Sequence, residues 1–276
     1  MFENSLLIVI GHAKEEPWET IWHEGQLPTW VSNYRSEVTI ILGSNRPMSS
    51  ILKWLNEKHE NFRYLKVIGR IQGYMDYFFV PWARRNIPEI QSLPSRDITE
   101  IQVQTSSALI CAGRSNLGFF KWFLEETKHE YLFLTVTSSF VNVPLLKRFV
   151  FGWDKSRFLY AGTIMGTDEH QFVSGSGMLF NRMTLEMIVK NAKKWPHQML
   201  NDVALGTLLK GFDIFPLSIP SLWVKTRQEV LDLSDEEIRN TVLFRCKTAT
   251  VPRTDSQIMN CLQEKFDSIP RNGNIS

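Results

Sequence analysis

At 276 residues, with 43% apolar and 12% aromatic side chains, the chain carries enough apolar surface for a packed core; this excludes an intrinsically disordered protein and fits one α/β domain or two small ones. A formal net charge of +2 and a pI near 8.4 call for no nucleic-acid partner and leave an anionic ligand or a membrane surface open. The three cysteines, Cys111, Cys246 and Cys261, form neither a closed disulfide framework nor a metal-ligand spacing, which points to a reducing compartment.

Residues 6–10 form an apolar run too short for a membrane span or a signal-peptide core, and Gly11-His12 breaks it, so it reads as the first buried strand, over 5–10. A polar loop over 11–16 and a helical stretch over 18–23 follow. A second strand spans 38–42 and ends at Gly43-Ser44-Asn45, a helix spans 49–60 and a third strand 63–68. Short apolar strands alternating with helices predict a parallel or mostly parallel sheet. Ligands gather at the carboxyl ends of such strands, which makes His12, just beyond the first strand, a candidate site residue.

Residues 69–96 mix Tyr74, Tyr77, Phe78, Phe79 and Trp82 with Arg84 and Arg85. They suit an acceptor-binding or membrane-facing insertion, or an excursion that packs its rings inward. A strand at 101–104 precedes a helix over 115–128 that packs through Leu117, Phe120 and Leu124. Arg114 stands just before that helix, where a guanidinium and free backbone N–H groups can hold a phosphate.

In the second half, a buried strand at 131–134 leads through Val136-Thr137-Ser138 to Phe140-Val141-Asn142-Val143-Pro144 and another helix. A strand over 157–165 is followed by Asp168, Glu169 and His170 in a loop. Ser174-Gly175-Ser176-Gly177 reads as a turn opening into a helical run over 178–194, which Trp195-Pro196 stops. A second helix begins near Asn201-Asp202, which puts Asp202 in its first turn, either as a cap carboxylate or as a site residue. Residues 242–255 carry Arg245, Lys247 and Arg253, a solvated basic face or a cluster able to neutralise a diphosphate. The residues after Pro270 read as a frayed terminus.

There is no Walker-type glycine loop, G-x-G-x-x-G, H-E-x-x-H or G-x-S-x-G motif, and the six histidines show no ligand spacing. A glycosidase needs a second carboxylate beside Asp202, and none stands out.

The Ser174–Gly177 segment, the helix after it and Asn201-Asp202-Val203-Ala204-Leu205-Gly206 are together similar to the S-G-G-G … (E/D)-D-V-x-x-G signature of fringe-like and β-1,3-galactosyl- or N-acetylglucosaminyltransferases. The resemblance covers residues 130–255, and Tyr160-Ala161-Gly162 resembles the family's Y-x-G strand. It implies a GT-A fold in which the glycine turn (Ser174, Gly175, Ser176, Gly177) lines the donor and acceptor cleft and Asp202 is the general base. Anchored on Phe140-Val141-Asn142, the family's metal-binding acidic triplet falls on Val136, Thr137 and Ser138, none of which is a carboxylate. Hydroxyls do not replace carboxylates around a hard cation without a large loss of affinity. No cofactor is therefore certain, a manganese held by other ligands stays open, and Arg245, Lys247 and Arg253 become the expected neutralisers of the diphosphate.

The expectation is one α/β, GT-A-like domain with a mixed, mostly parallel sheet over 1–276, its nucleotide-binding half at 1–130 and its donor and acceptor half at 131–265. It would act as an inverting hexosyltransferase moving a sugar from a UDP-sugar to a glycan or glycolipid, in surface polysaccharide or lipopolysaccharide assembly. The setting expected is the cytoplasm, with peripheral contact at the inner face of the membrane. The alternative is a non-catalytic carbohydrate- or partner-binding homologue on the same fold.

Overall fold

The computed structural model describes residues 6–44, 87–93, 98–106, 112–197 and 199–270. The expected helix at 49–60, the strand at 63–68, most of the aromatic and basic region, Cys111 and the terminus after Pro270 lie outside them.

The chain begins with β1 (Leu6–His12), a short helix α1 (Trp18–Ile21) that continues as a π-turn over Trp22–Gln26, and β2 (Val38–Ser44). Then come β3 (Ile90–Leu93), β4 (Thr99–Ser106), α2 (Ala112–Glu126), β5 (Tyr131–Val136), β6 (Ser139–Val141) and α3 (Val143–Phe151). The rest is β7 (Tyr160–Thr167), β8 (His170–Asn181), α4 (Arg182–Lys190), α5 (Asn201–Lys210), β9 (Leu217–Ser218), β10 (Ser221–Trp223), α6 (Arg227–Asp232), α7 (Asp235–Asn240), β11 (Leu243–Arg245) and α8 (Asp255–Ser268).

The α/β expectation holds as a mixed, mostly parallel sheet flanked by helices. Eight strands run in the order β3-β4-β2-β1-β5-β8-β7-β9, and β4, β2, β1 and β5 are mutually parallel. β8 turns antiparallel against β5, and β7 pairs antiparallel with β8. A second sheet, β10-β11-β6, has three strands. β1 is apolar from Leu6 to Ile10 because both of its faces are covered there. Leu6, Ile8 and Ile10 enter one core with α3 and α8, while Leu7 and Val9 enter the other with α2, α4 and α5.

Local chemistry sets several helix starts. Asn142 Oδ1 accepts from the Leu145 N–H at 3.2 Å to open α3, and Asn181 Oδ1 accepts from the Thr184 N–H at 3.1 Å to open α4. Arg182 donates to the carbonyls of Phe123, Leu124, Thr127 and His129, tying the end of α2 to the start of α4.

Several expectations are corrected. The Ser174–Gly177 segment is not a turn: β8 runs through it, with Gly177 in register with Thr135. The helix read over 178–194 is confined to Arg182–Lys190, since Met178 to Asn181 complete the strand. His12 belongs to β1 itself, Arg114 lies inside the first turn of α2, and Asp168-Glu169 form the tight turn between paired Thr167 and His170. Part of the region read as an insertion, Ile90–Leu93, is an edge strand antiparallel to β4.

Candidate active site

β1 has β2 on one side and β5 on the other, so the chain leaves the carboxyl ends of these parallel strands in opposite directions and opens a crevice between them. A cleft of about 520 Å³ lies there. Its wall draws on the end of β1 (Gly11, His12), the segment after β5 (Thr137, Ser138), the middle of β8 (Ser174, Gly175, Ser176), the start of α5 (Asn201, Asp202) and the strand end at Arg245 with Lys247. Of the predicted residues these ten line one cavity, and Gly11, Trp18, Ser115 and Asn116 join them.

Asp202 is not the N-cap of α5, a position held by Leu200. Its Oδ1 accepts from the Val203 N–H at 2.9 Å, and its Oδ2 reaches β8, accepting from the Gly175 N–H at 3.3 Å. The next residue continues the link. Ser176 O accepts from Thr135 Oγ1 at 2.7 Å and from Ser139 Oγ at 3.0 Å, while Ser139 Oγ accepts from Arg245 Nη1 at 3.4 Å. Two residues of β8 thus connect the carboxylate to the guanidinium. Gly175 leaves room beside that carboxylate, since a Cβ there would stand 3.8 Å from Asp202 Oδ2.

Arg245 is half-buried and engages no carboxylate in an ion pair among the described residues. Burial, and then the Arg253 charge, pull its pKa below the ordinary value, yet an arginine remains charged at neutral pH. A partly desolvated cation that donates to a hydroxyl and pairs directly with no carboxylate among the described residues favours an anionic ligand.

Arg253, expected beside Arg245 and Lys247 on the diphosphate, is placed differently. It does not line the cleft; it forms an ion pair with fully buried Asp255 and stacks 4.5 Å from the Trp18 ring. Asp255 also accepts from the Thr248 N–H and Oγ1 at 3.0 and 2.7 Å, so the Arg253 charge is neutralised within the fold. Arg253 Nη2 donates to Ser138 Oγ at 3.1 Å. That hydroxyl stands at the last position of the missing acidic triplet, and an oxygen that accepts from a guanidinium has that cation where a metal ion would bind. Thr137 and Ser138 therefore do not fit a divalent cation. No group of three His, Cys, Asp or Glu side chains is gathered for a metal among the described residues.

Arg114 is outside the cleft lining, and Ser115 and Asn116, one and two residues on, take that place. Gly177 is also outside it and answers to packing: a Cβ there would meet Leu243 Cδ2 at 2.6 Å and Phe133 Cζ at 2.8 Å. His12 Nε2 pairs with Glu19 Oε2 at 2.9 Å. Burial lowers the His12 pKa despite that carboxylate, which favours the neutral ring. Sequence reasoning missed Asn116, whose buried Nδ2 lacks a partner among the described residues, and the cleft-lining role of Trp18. Trp18 carried no local signal beyond its place in a helix.

Among the described residues no helix is long and apolar enough to cross a membrane. No protein-family model matches the chain, and no curated protein matches it.

Proposed function

We propose that the protein is an inverting glycosyltransferase of GT-A-like architecture that moves a sugar from a UDP-sugar to a hydroxyl of a glycan or glycolipid. One observation carries the reading: Arg245, a half-buried cation that forms no ion pair with a carboxylate among the described residues, lines the same cleft as the Asp202 carboxylate. The position of that cleft at the switch point of a mostly parallel sheet supports it. The reading extends to surface polysaccharide assembly at the cytoplasmic face of a membrane.

In the reaction, Asp202 accepts the proton of the acceptor hydroxyl as its oxygen forms a bond to the anomeric carbon. The bond from that carbon to the diphosphate oxygen breaks on the opposite side, and the electron pair leaves with the diphosphate. A single displacement inverts the centre. Negative charge grows on the departing diphosphate, where Arg245 and Lys247 provide preplaced positive charge. The Ser174–Ser176 strand segment and Asn201 offer hydroxyls, an amide and a flat backbone to the sugar.

The deciding experiment is Asp202→Asn, which keeps the bond from the Gly175 N–H but removes the base. Transfer from a UDP-sugar is expected to fall at least about 100-fold with nucleotide affinity and thermal stability retained. Near-normal turnover would reduce Asp202 to a tie between α5 and β8. A wild-type chain that binds nucleotide sugar and transfers nothing, with or without manganese, would make it a non-catalytic binding protein.

A further inference from the structure

A second cleft, of about 670 Å³, lies on the face of the molecule where β6, α3, α7 and α8 meet. Its size falls within the roughly 300–1,000 Å³ of small-molecule sites. The floor is aromatic. Half-buried Tyr34 and Phe266 line it with buried Trp30 and Phe140; Phe140 and Phe266 stack at 5.2 Å between centroids, and Lys147 Nζ stands 5.5 Å from the centre of the Tyr34 ring. The rim is planar and polar: Asn33, Asn240 and Arg148 are exposed and make no side-chain hydrogen bond or ion pair to another described residue. Asp267, opposite in charge to Arg148, accepts from Gln263 Nε2 at 2.9 Å and keeps a second carboxylate oxygen for a ligand.

We infer that this cleft is a second carbohydrate-binding site, which holds an oligosaccharide away from the reacting end. Flat apolar rings suit the C–H faces of pyranoses, and planar amide, guanidinium and carboxylate groups suit vicinal hydroxyls, to which they donate and from which they accept in pairs. An aromatic floor rimmed by unengaged amides matches that ligand better than an extended peptide, because β6, the edge strand that lines the cleft, is only three residues long. The strand β6 connects the two sites. Ser138 lines the first and Phe140 the second, a separation of two residues or about 7 Å along an extended chain. The inference deepens the glycan-acceptor reading and rests on it for its biological use, but it is tested by binding alone.

The test is isothermal titration of the full chain with lacto-N-tetraose, maltotetraose and a chondroitin tetrasaccharide. At least one of these is expected to bind wild type and Asp202→Asn with equal affinity, and to bind an Arg148→Ala/Asn240→Ala double variant at least tenfold more weakly. Both substituted residues are exposed, so unchanged thermal unfolding of the double variant certifies its fold. Binding that survives in the double variant and is lost in Arg245→Ala would assign the sugar to the first cleft and overturn the inference. So would the absence of binding by all three sugars at millimolar concentration. If transfer fails in every assay while the double variant alone loses sugar binding, the proposed catalysis falls and the second site stands.

Discussion

The two glycines of the Ser174–Gly177 segment, two residues apart in one strand, are expected to respond oppositely to the same added methyl group. In Gly177→Ala the new Cβ would lie 2.6 Å from Leu243 Cδ2 and 2.8 Å from Phe133 Cζ, both on fully buried side chains. Neither can swing into solvent, so the strand or its neighbours must shift. Overpacking of this kind costs about 1–3 kcal/mol, and the loss of glycine's unfolded-state freedom returns about 0.5–1 kcal/mol. A net loss near 1–2 kcal/mol corresponds to a fall in Tm of roughly 2–8 °C for a chain of this size. In Gly175→Ala the nearest atoms, Asp202 Oδ2 and Met178 Cε, stand at 3.8 and 3.9 Å, ordinary contact, so stability should change by no more than about 0.5 kcal/mol. That methyl, however, enters the cleft beside the carboxylate, so binding of a UDP-sugar or acceptor should weaken at least tenfold. Calorimetric unfolding paired with ligand titration reads both effects. A Gly175→Ala protein less stable than Gly177→Ala, or one that binds as wild type does, would refute the division of the segment into a packing glycine and a ligand-side glycine.

Arg245→Ala should lower nucleotide-sugar affinity at least tenfold, about 1.4 kcal/mol, and turnover further, with exposed Lys190→Ala as the control; equal behaviour of the two would leave Arg245 without a ligand role. Asp255→Ala should cost about 3–5 kcal/mol in urea unfolding, because it strands Arg253 and both Thr248 donors, and a loss below 1 kcal/mol would mean the pair is dispensable. His12 titrates with a pKa lowered chiefly by burial, so below pH 6.5 the unfolded chain takes up the proton first and stability falls as the pH drops toward the folded pKa. His12→Gln should flatten that fall in Tm below pH 6.5, and an unchanged slope would exclude His12 as a source; His129, lowered by burial and then by Arg182, contributes in the same direction. Excess chelator should leave transfer intact, because Ser138 Oγ already accepts from Arg253; a complete loss that manganese restores would place metal ligands elsewhere.

Much of the framework was legible in the residues themselves. The unbroken apolar run at Leu6–Ile10 can only be buried on both faces, and the strand–helix alternation around it dictates a largely parallel sheet with its crevice at the carboxyl ends. Asn142 and Asn181 cap their helices with chemistry that lies within three residues, a signal that the reading of a helix over 178–194 passed over at Asn181. The spacing of Ile258, Met259, Leu262 and Phe266 carries the period of α8, a signal present in the sequence and left unread.

Whatever depends on residues far apart in the chain was decided by the tertiary structure. Glycine and serine favour turns locally, yet Ser174–Gly177 is strand because Thr135 and Ser139 hold the Ser176 carbonyl and because only a glycine fits at position 177 between Phe133 and Leu243. Arg245, Lys247 and Arg253 look alike in one basic stretch. Asp255 and Trp18 take Arg253 out of the cleft, while Arg245 and Lys247 remain on its wall. Charge is a property of the sequence, but whether a charge is already answered inside the fold depends on which side chains the packing brings within a few ångströms of it.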